Sequence, residues 1–333
     1  MKLPRLLLLL ALAAALAAPL AAQPAPTPYT PALWEVRAGE STAYLFGTVH
    51  ALPRGVNWFQ PHVAQALDRS KLLVLEAEVP TSPAAMAPVV LKLARLPAAR
   101  PLAERVPEGW RPALAAALAR LKVGPMDWYD TWFVALTLTN LQAESDGFDP
   151  RMGVESVLTE RARMQKIPIR GLETVEEQLI NFDALPEADQ QITLLSTLSD
   201  LADSKARANE LVADWMAGRT DQLAAHVNEQ FERSPMLRRM LVEDRNMRWA
   251  DLLQQHLKQQ QGPIFVAVGA GHLAGRGSLV DLLRQRGMTV TRMAPPAPAA
   301  QPTRPAQPAQ STRPAQPAAK QPTPAAPAGK ARR

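Results

Sequence analysis

Two stretches of the chain end the same way. "YLFGTVHALP" presents His50 three residues after Gly47, and "FVAVGAGHLAG" presents His272 three residues after Gly269. The chain has five histidines, and two of them share this Gly-x-x-His spacing behind an apolar run. Two further apolar runs end in acids, "KLLVLEAEV" with Glu76 and "IPIRGLET" with Glu173. An imidazole beside a carboxylate can take a proton from water and return it near neutral pH. Each residue alone has a plainer explanation. A histidine after a strand commonly serves as a structural hydrogen-bonder, and Glu173 precedes Thr174, which can cap a helix with Glu177 at its third position. Repetition of the pattern at four strand ends argues for a site. Gly47, Gly269 and Gly271 let the backbone turn sharply and approach a ligand there.

The elements that must position these residues follow from hydrophobic periodicity. Alternating runs at 33–37 and 42–46 flank a turn at Gly39 and predict a β-hairpin. A helix opens with Pro61 and runs to Arg69. The continuous apolar run from Lys71 reads as a buried strand, and the order strand, helix, strand predicts a parallel βαβ pairing. Residues 82–147 read as helices cut by prolines. "GVESVLTERARMQK" adds a helix and "IPIRGLET" a strand. Residues 186–260 read as three or four helices with no strand between them. The chain then returns to strand, helix and strand with "PIFVAVGAGH", "GSLVDLLRQRG" and "MTVTRM". The fold class expected is therefore α/β, a mixed and largely parallel sheet formed by both ends of the mature chain, with a large helical insertion. In such sheets the carboxyl ends of parallel strands line one crevice, where ligands bind.

Within "MLRRMLVEDRNMRWADLLQQHL", helical spacing puts Leu237, Leu241 and Leu252 on one face together with Arg245 and Arg248. A buried guanidinium needs a carboxylate or an anionic ligand, and Glu76 and Glu173 are the available carboxylates. His62, His226 and His256 fall on predicted helices outside any such setting and are read as surface residues.

The order "LWEV…YLFGTVH", "LVLEAEV", "GVE", "GLETVEEQ", "RN..W" and "VAVGAGHLAG..SLVDLL…G" resembles the TraB/GumN family, which is grouped with the Tiki proteases and relatives of erythromycin esterase. The resemblance covers most of residues 33–293. It implies that both Gly-x-x-His motifs and Glu76 are site elements, that Glu155 and Glu173 match further acidic positions, and that Arg245 matches the family's Arg-Asn pair. Tiki-like members imply metal-dependent peptide hydrolysis. Esterase-like relatives imply a histidine that activates water without a metal. Other relatives imply a non-catalytic periplasmic protein that binds haem or a metal in the same cleft.

Two imidazoles with one or two carboxylates suit a divalent transition metal, Mn, Co or Zn, held by His50, Glu76 and His272. A second Glu would then act as general base and Arg245 would stabilise the oxyanion. Without a metal, His50 would be the base, oriented by Glu76. The substrate expected is a small peptide, ester or amide. No His-Glu-x-x-His or Gly-x-Ser-x-Gly motif is present. "GAGHLAG" has its third glycine one residue late for a dinucleotide turn.

The two ends of the chain read differently from its middle. Residues 1–22 form a secretory signal: Lys2 and Arg5, an apolar run broken by Pro19, and small residues at Ala21 and Ala22. A periplasmic or secreted protein with no membrane span after cleavage is expected. With no cysteine, the chain has no disulfide, no thiolate metal site and no lipoprotein anchor. Residues 23–293 form the α/β domain. Residues 294–333 repeat Pro, Ala, Gln and Thr and are expected to be disordered. That tail carries six basic residues and no acid, equal to the whole net charge of +6. Lys2 and Arg5 add two more, so residues 23–293 carry −2. The domain offers no basic groove, and no nucleic-acid partner is expected.

Overall fold

A computed structural model describes residues 30–78, 83–232, 234–259 and 262–294. The signal segment and nearly all of the Pro-rich tail lie outside them. In chain order the elements are β1 (Leu33–Ala38), β2 (Ser41–Thr48), α1 (Pro61–Arg69), β3 (Leu72–Ala77), α2 (Pro83–Leu93), α3 (Arg111–Arg120), α4 (Thr131–Ser145), α5 (Val154–Met164), β4 (Ile169–Glu173), α6 (Val175–Asp183), α7 (Glu187–Asp200), α8 (Ser204–Met216), α9 (Thr220–Phe231), α10 (Pro235–Arg238), α11 (Asp244–Lys258), β5 (Ile264–Gly269), α12 (Leu279–Gln285) and β6 (Thr289–Arg292).

The strands form one mixed sheet in the order β4-β3-β5-β2-β1-β6. β4, β3, β5 and β2 run parallel, and β1 runs antiparallel to both β2 and β6. The α/β class and the contribution of both chain ends are as expected, and the hairpin turns at Gly39 with φ +61°. The βαβ expectation needs a correction. β2 and β3 are parallel but do not pair, because β5 lies between them. The reason is burial. Ile264 to Val268 are all buried, which suits a strand covered on both edges and both faces.

Alternation along the central strands feeds two cores. Tyr44, Phe46, Leu73, Leu75, Phe265 and Ala267 meet Val63 and Leu67 of α1, Val154 and Leu158 of α5 and Trp215 of α8. Leu45, Val74, Val266 and Val268 meet Trp249, Leu253 and Leu257 of α11 and Leu279 and Leu283 of α12. Each such side chain, fully buried, contributes roughly 1.5–3 kcal/mol. The helical insertion comes as two pieces of chain, α2–α4 and α6–α10. They join where α3, α4 and α7 share Leu114, Val134, Leu138 and Leu194, and where Trp132 of α4 meets Val89 of α2 and Phe182 of α6. Among the described residues no helix is long and apolar enough to cross a membrane.

The predicted helix through Arg245 is one rod with a π turn at Arg239–Glu243 between α10 and α11. That turn shifts the register. The buried face of α11 is Arg245, Asn246, Trp249, Ala250, Leu253 and Leu257. Leu252 and Arg248 are exposed, contrary to the simple helical spacing. His62 is also a correction, since it is buried in the α1 packing face and burial lowers its pKa.

Candidate active site

The register brings the polar strand ends to one edge. Thr48 pairs with Gly269, Leu75 with Ala267 and Ala77 with Glu173. Close approach explains two of the glycines. A Cβ on Gly47 would lie 3.0 Å from the Ala270 Cα, and one on Gly269 would lie 3.0 Å from Glu76 Oε1. The Gly269 N–H donates to that same oxygen at 2.6 Å. Gly271 sits inside the 3-10 turn Ala270–Leu273 that carries His272.

On the α11 side of the sheet the polar groups form a closed network. Glu76 lies two residues beyond Val74 and so projects toward α11, where Arg245 meets it. Arg245 makes four hydrogen bonds, and its NH2 forms an additional close ion pair with Glu173. Nε donates to Glu173 Oε1 at 2.8 Å, NH1 to the Leu241 carbonyl at 2.9 Å and to His272 Nε2 at 3.2 Å, and NH2 to Glu76 Oε2 at 2.7 Å; NH2 also lies 2.6 Å from Glu173 Oε1 as an ion pair. The guanidinium also covers the Trp249 ring at 4.5 Å, and that ring packs on His272 at 4.6 Å. Asn246 Oδ1 accepts from His272 Nδ1 at 2.8 Å, which leaves the Nε2 lone pair for Arg245. Glu76 Oε2 accepts a further bond from Gln178 at 3.3 Å. Glu173 directly precedes the capping box of Thr174 and Glu177 that starts α6. Its Oε2 is buried without a hydrogen bond, 3.6 Å from Arg248.

On the α5 side the arrangement is open. His50 Nδ1 lies 2.7 Å from Glu155 Oε1, and the His50 side chain is 75% exposed against 9% for His272. Glu155 is in the first turn of α5, which docks on the His50 loop through the Val154 N–H and the Val49 carbonyl. Gly153 makes that docking possible, because a Cβ there would overlap the His50 carbonyl oxygen. The partner of His50 is therefore Glu155 and not Glu76.

Charge separates the two histidines. The negative charge of Glu155 and its hydrogen bond push His50 up to about 9, against the opposing effect of the protein walls around it. Burial pushes His272 down to about 4; Arg245 and His50 add to this and Glu76 opposes it. Burial would raise Glu76, but His272, Arg245 and His50, with the Gly269 N–H, hold it at about 2. Burial also opposes ionisation of Glu155, and His50 overcomes it to lower the pKa. These mutual influences put His50 within electrostatic reach of Glu76 and His272.

Each imidazole has its Nδ1 tied to an oxygen, an arrangement that metal-bound histidines share. The Nε2 of His50 is free of protein partners among the described residues, but the corresponding positions on His272 and Glu76 are taken. Arg245 occupies His272 Nε2 and Glu76 Oε2, and Gly269 occupies Glu76 Oε1. Among the described residues no group of three His, Asp or Glu side chains is arranged to hold a metal ion. The residues do not fit a divalent cation in this arrangement, because Arg245 already supplies the positive charge. The same saturation bears on the oxyanion role expected of Arg245, which would require one of its contacts to break. Sequence reasoning gave no role to Asn246, Gln178 or Gly153, although the "RN..W" and "GVE" motifs contain two of them.

A sequence model of the TraB/PrgY/gumN family matches residues 32–292. YbaP of Shigella flexneri, named as an uncharacterized protein, is 26% identical over 257 residues, covering 76% of this chain and 92% of its own. YbaP of Escherichia coli (strain K12) matches with the same identity and coverage. An uncharacterized protein of Treponema pallidum (strain Nichols) is 26% identical over 277 residues, covering 76% of this chain and 80% of its own. No solved structure matches the chain.

Proposed function

This chain belongs to the TraB/PrgY/gumN family, and from that premise we propose that it is an exported hydrolase of peptide, amide or ester bonds in which His50 moves the proton. One observation carries the reading. Of the site residues that titrate, His50 alone is open to solvent and keeps a ring nitrogen free of protein partners, while Glu155 holds the other.

Hydrolysis requires one proton to leave water and one to reach the leaving group. Neutral His50 takes the first at Nε2 as water attacks the carbonyl carbon, and Glu155 stabilises the imidazolium. The same Nε2–H then passes to the departing nitrogen or oxygen. The buried network acts by position, as Arg245 locks Glu76, Glu173 and His272 in one wall of the crevice. Because the resting His50 is protonated below about 9, the neutral base grows with pH and the rate climbs toward that value. The residues of 1–22 support a periplasmic or secreted location.

The test is turnover of quenched fluorescent peptides and p-nitrophenyl acetate by purified protein. Activity in the wild type and its loss in His50→Ala, with folding intact, supports the reading. Turnover that survives in His50→Ala, or tight haem uptake with no turnover, overturns it. The divalent metal has its own test by elemental analysis of protein purified without chelators. Stoichiometric metal lost in His272→Ala would mean that Arg245 swings away from the crevice.

A further inference from the structure

A polar cavity of about 260 Å³ adjoins the His272 turn and takes no part in the chemistry above. Gly271 and the buried Asn246, the residue that fixes the His272 ring, line it. Asn228, Arg238, Glu243 and Arg276 line it as well. The charged groups among them are not equivalent. Arg238 is engaged, with Nε donating to Glu243 at 3.0 Å and NH1 to Asn228 at 2.7 Å. Arg276 stands exposed between Gly275 and Gly277, both in the left-handed region at φ +75° and +72°, and has no hydrogen bond or ion pair among the described residues. With Arg238 and Glu243 offsetting each other, the cavity presents one uncompensated positive group beside the proposed catalytic crevice. A guanidinium in that position recognises a carboxylate by two parallel N–H bonds. The volume equals that of about nine liquid waters, enough for the terminal residue of a short peptide.

We propose that this cavity receives a free carboxylate of the substrate, with Arg276 as the recognising group, so that the protein acts on substrates ending in a carboxylate. This rests on the hydrolase reading for its meaning but not for its test. Calorimetric titration of the full chain with acetyl-dialanine, which ends in a carboxylate, and with its C-terminal amide separates the two. The acid binds wild type and His50→Ala at least about tenfold tighter than the amide, and Arg276→Gln removes the difference while Arg276→Lys restores part of it. Equal binding of acid and amide, no binding of either, or a preference that persists in Arg276→Gln overturns the assignment. Carboxylate binding without turnover sinks the hydrolase reading and leaves the cavity standing. Turnover without preference for the acid does the reverse. Inorganic phosphate is the third probe. Displacement of the dipeptide by millimolar phosphate would overturn the carboxylate assignment in favour of a phosphate site.

Discussion

His50 and His272 leave adjacent parallel strands three residues after a glycine, yet one turn opens to the α5 side and the other closes on the α11 side. Glu155 alone faces His50, in contact with solvent. Asn246, Arg245, Glu76 and Trp249 surround His272. One motif thus yields a cationic ring that titrates at about 9 and a neutral ring that titrates at about 4. A backbone pattern sets where an imidazole stands. The helix packed beside it sets what the imidazole can do. Pairs of titratable groups driven apart in this way are how one crevice holds an acid and a base together.

The contrast can be broken most severely at Arg245. Arg245→Ala leaves Glu76 and Glu173 buried without their counter-charge, and chemical denaturation is expected to register a loss of about 3–5 kcal/mol. Arg245→Lys retains a charge but not the four directed hydrogen bonds, and its loss is expected to lie between zero and that of Arg245→Ala.

Acid titration sharpens the contrast. Unfolded His272 binds a proton from its ordinary value of 6.5, but folded His272 binds one only near 4, so stability falls as pH drops through that window. The loss is on the order of 3 kcal/mol when complete. Glu76 adds a further loss as pH falls from 4.5 to about 2. In His272→Gln the first stage disappears from the stability–pH curve and the second shrinks, because Glu76 loses one of the charges that hold its pKa down. A curve unchanged by that substitution would remove His272 from the acid response.

Gly153→Ala attacks the open side. The added methyl group must push α5 off the His50 loop, with an expected cost of about 1–3 kcal/mol and a loosened His50–Glu155 pair. The smallest net effect on stability is Glu155→Gln, because the burial cost of the carboxylate is removed together with its pairing to His50. Its signature is electrical. The His50 ring, followed by NMR, is expected to titrate about two pH units lower, toward 6.5, and the pH at which the rate levels off should move with it.

The sheet and most helices were legible because apolar periodicity is a local signal. The strand Ile264–Gly269 declared itself by its unbroken apolar run, and the cap at Thr174 by its spacing from Glu177. What escaped was pairing across long stretches of chain. Nothing near His50 points to Glu155, which is 105 residues away, and nothing near β2 says that β5 and not β3 will lie beside it. The π turn before α11 defeated face assignment for Leu252, since one residue of altered winding rotates everything after it. His62 looked like a surface residue only because helical spacing does not reveal how closely a neighbour packs. The chemistry-bearing residue types were visible in the sequence, whereas the division between a saturated wall and an open pair was not.

The central position of β5 has a consequence for how the chain is born. β2 and β3 emerge early in synthesis, and the strand that joins them is among the last parts made. Until it arrives, both carry a bare edge able to recruit a strand from another nascent chain. Closing the sheet then means joining segments some two hundred residues apart, which is slow relative to local helix formation. A polypeptide cut short just before Ile264 would hold most of its helices and lack the strand that joins β2 to β3.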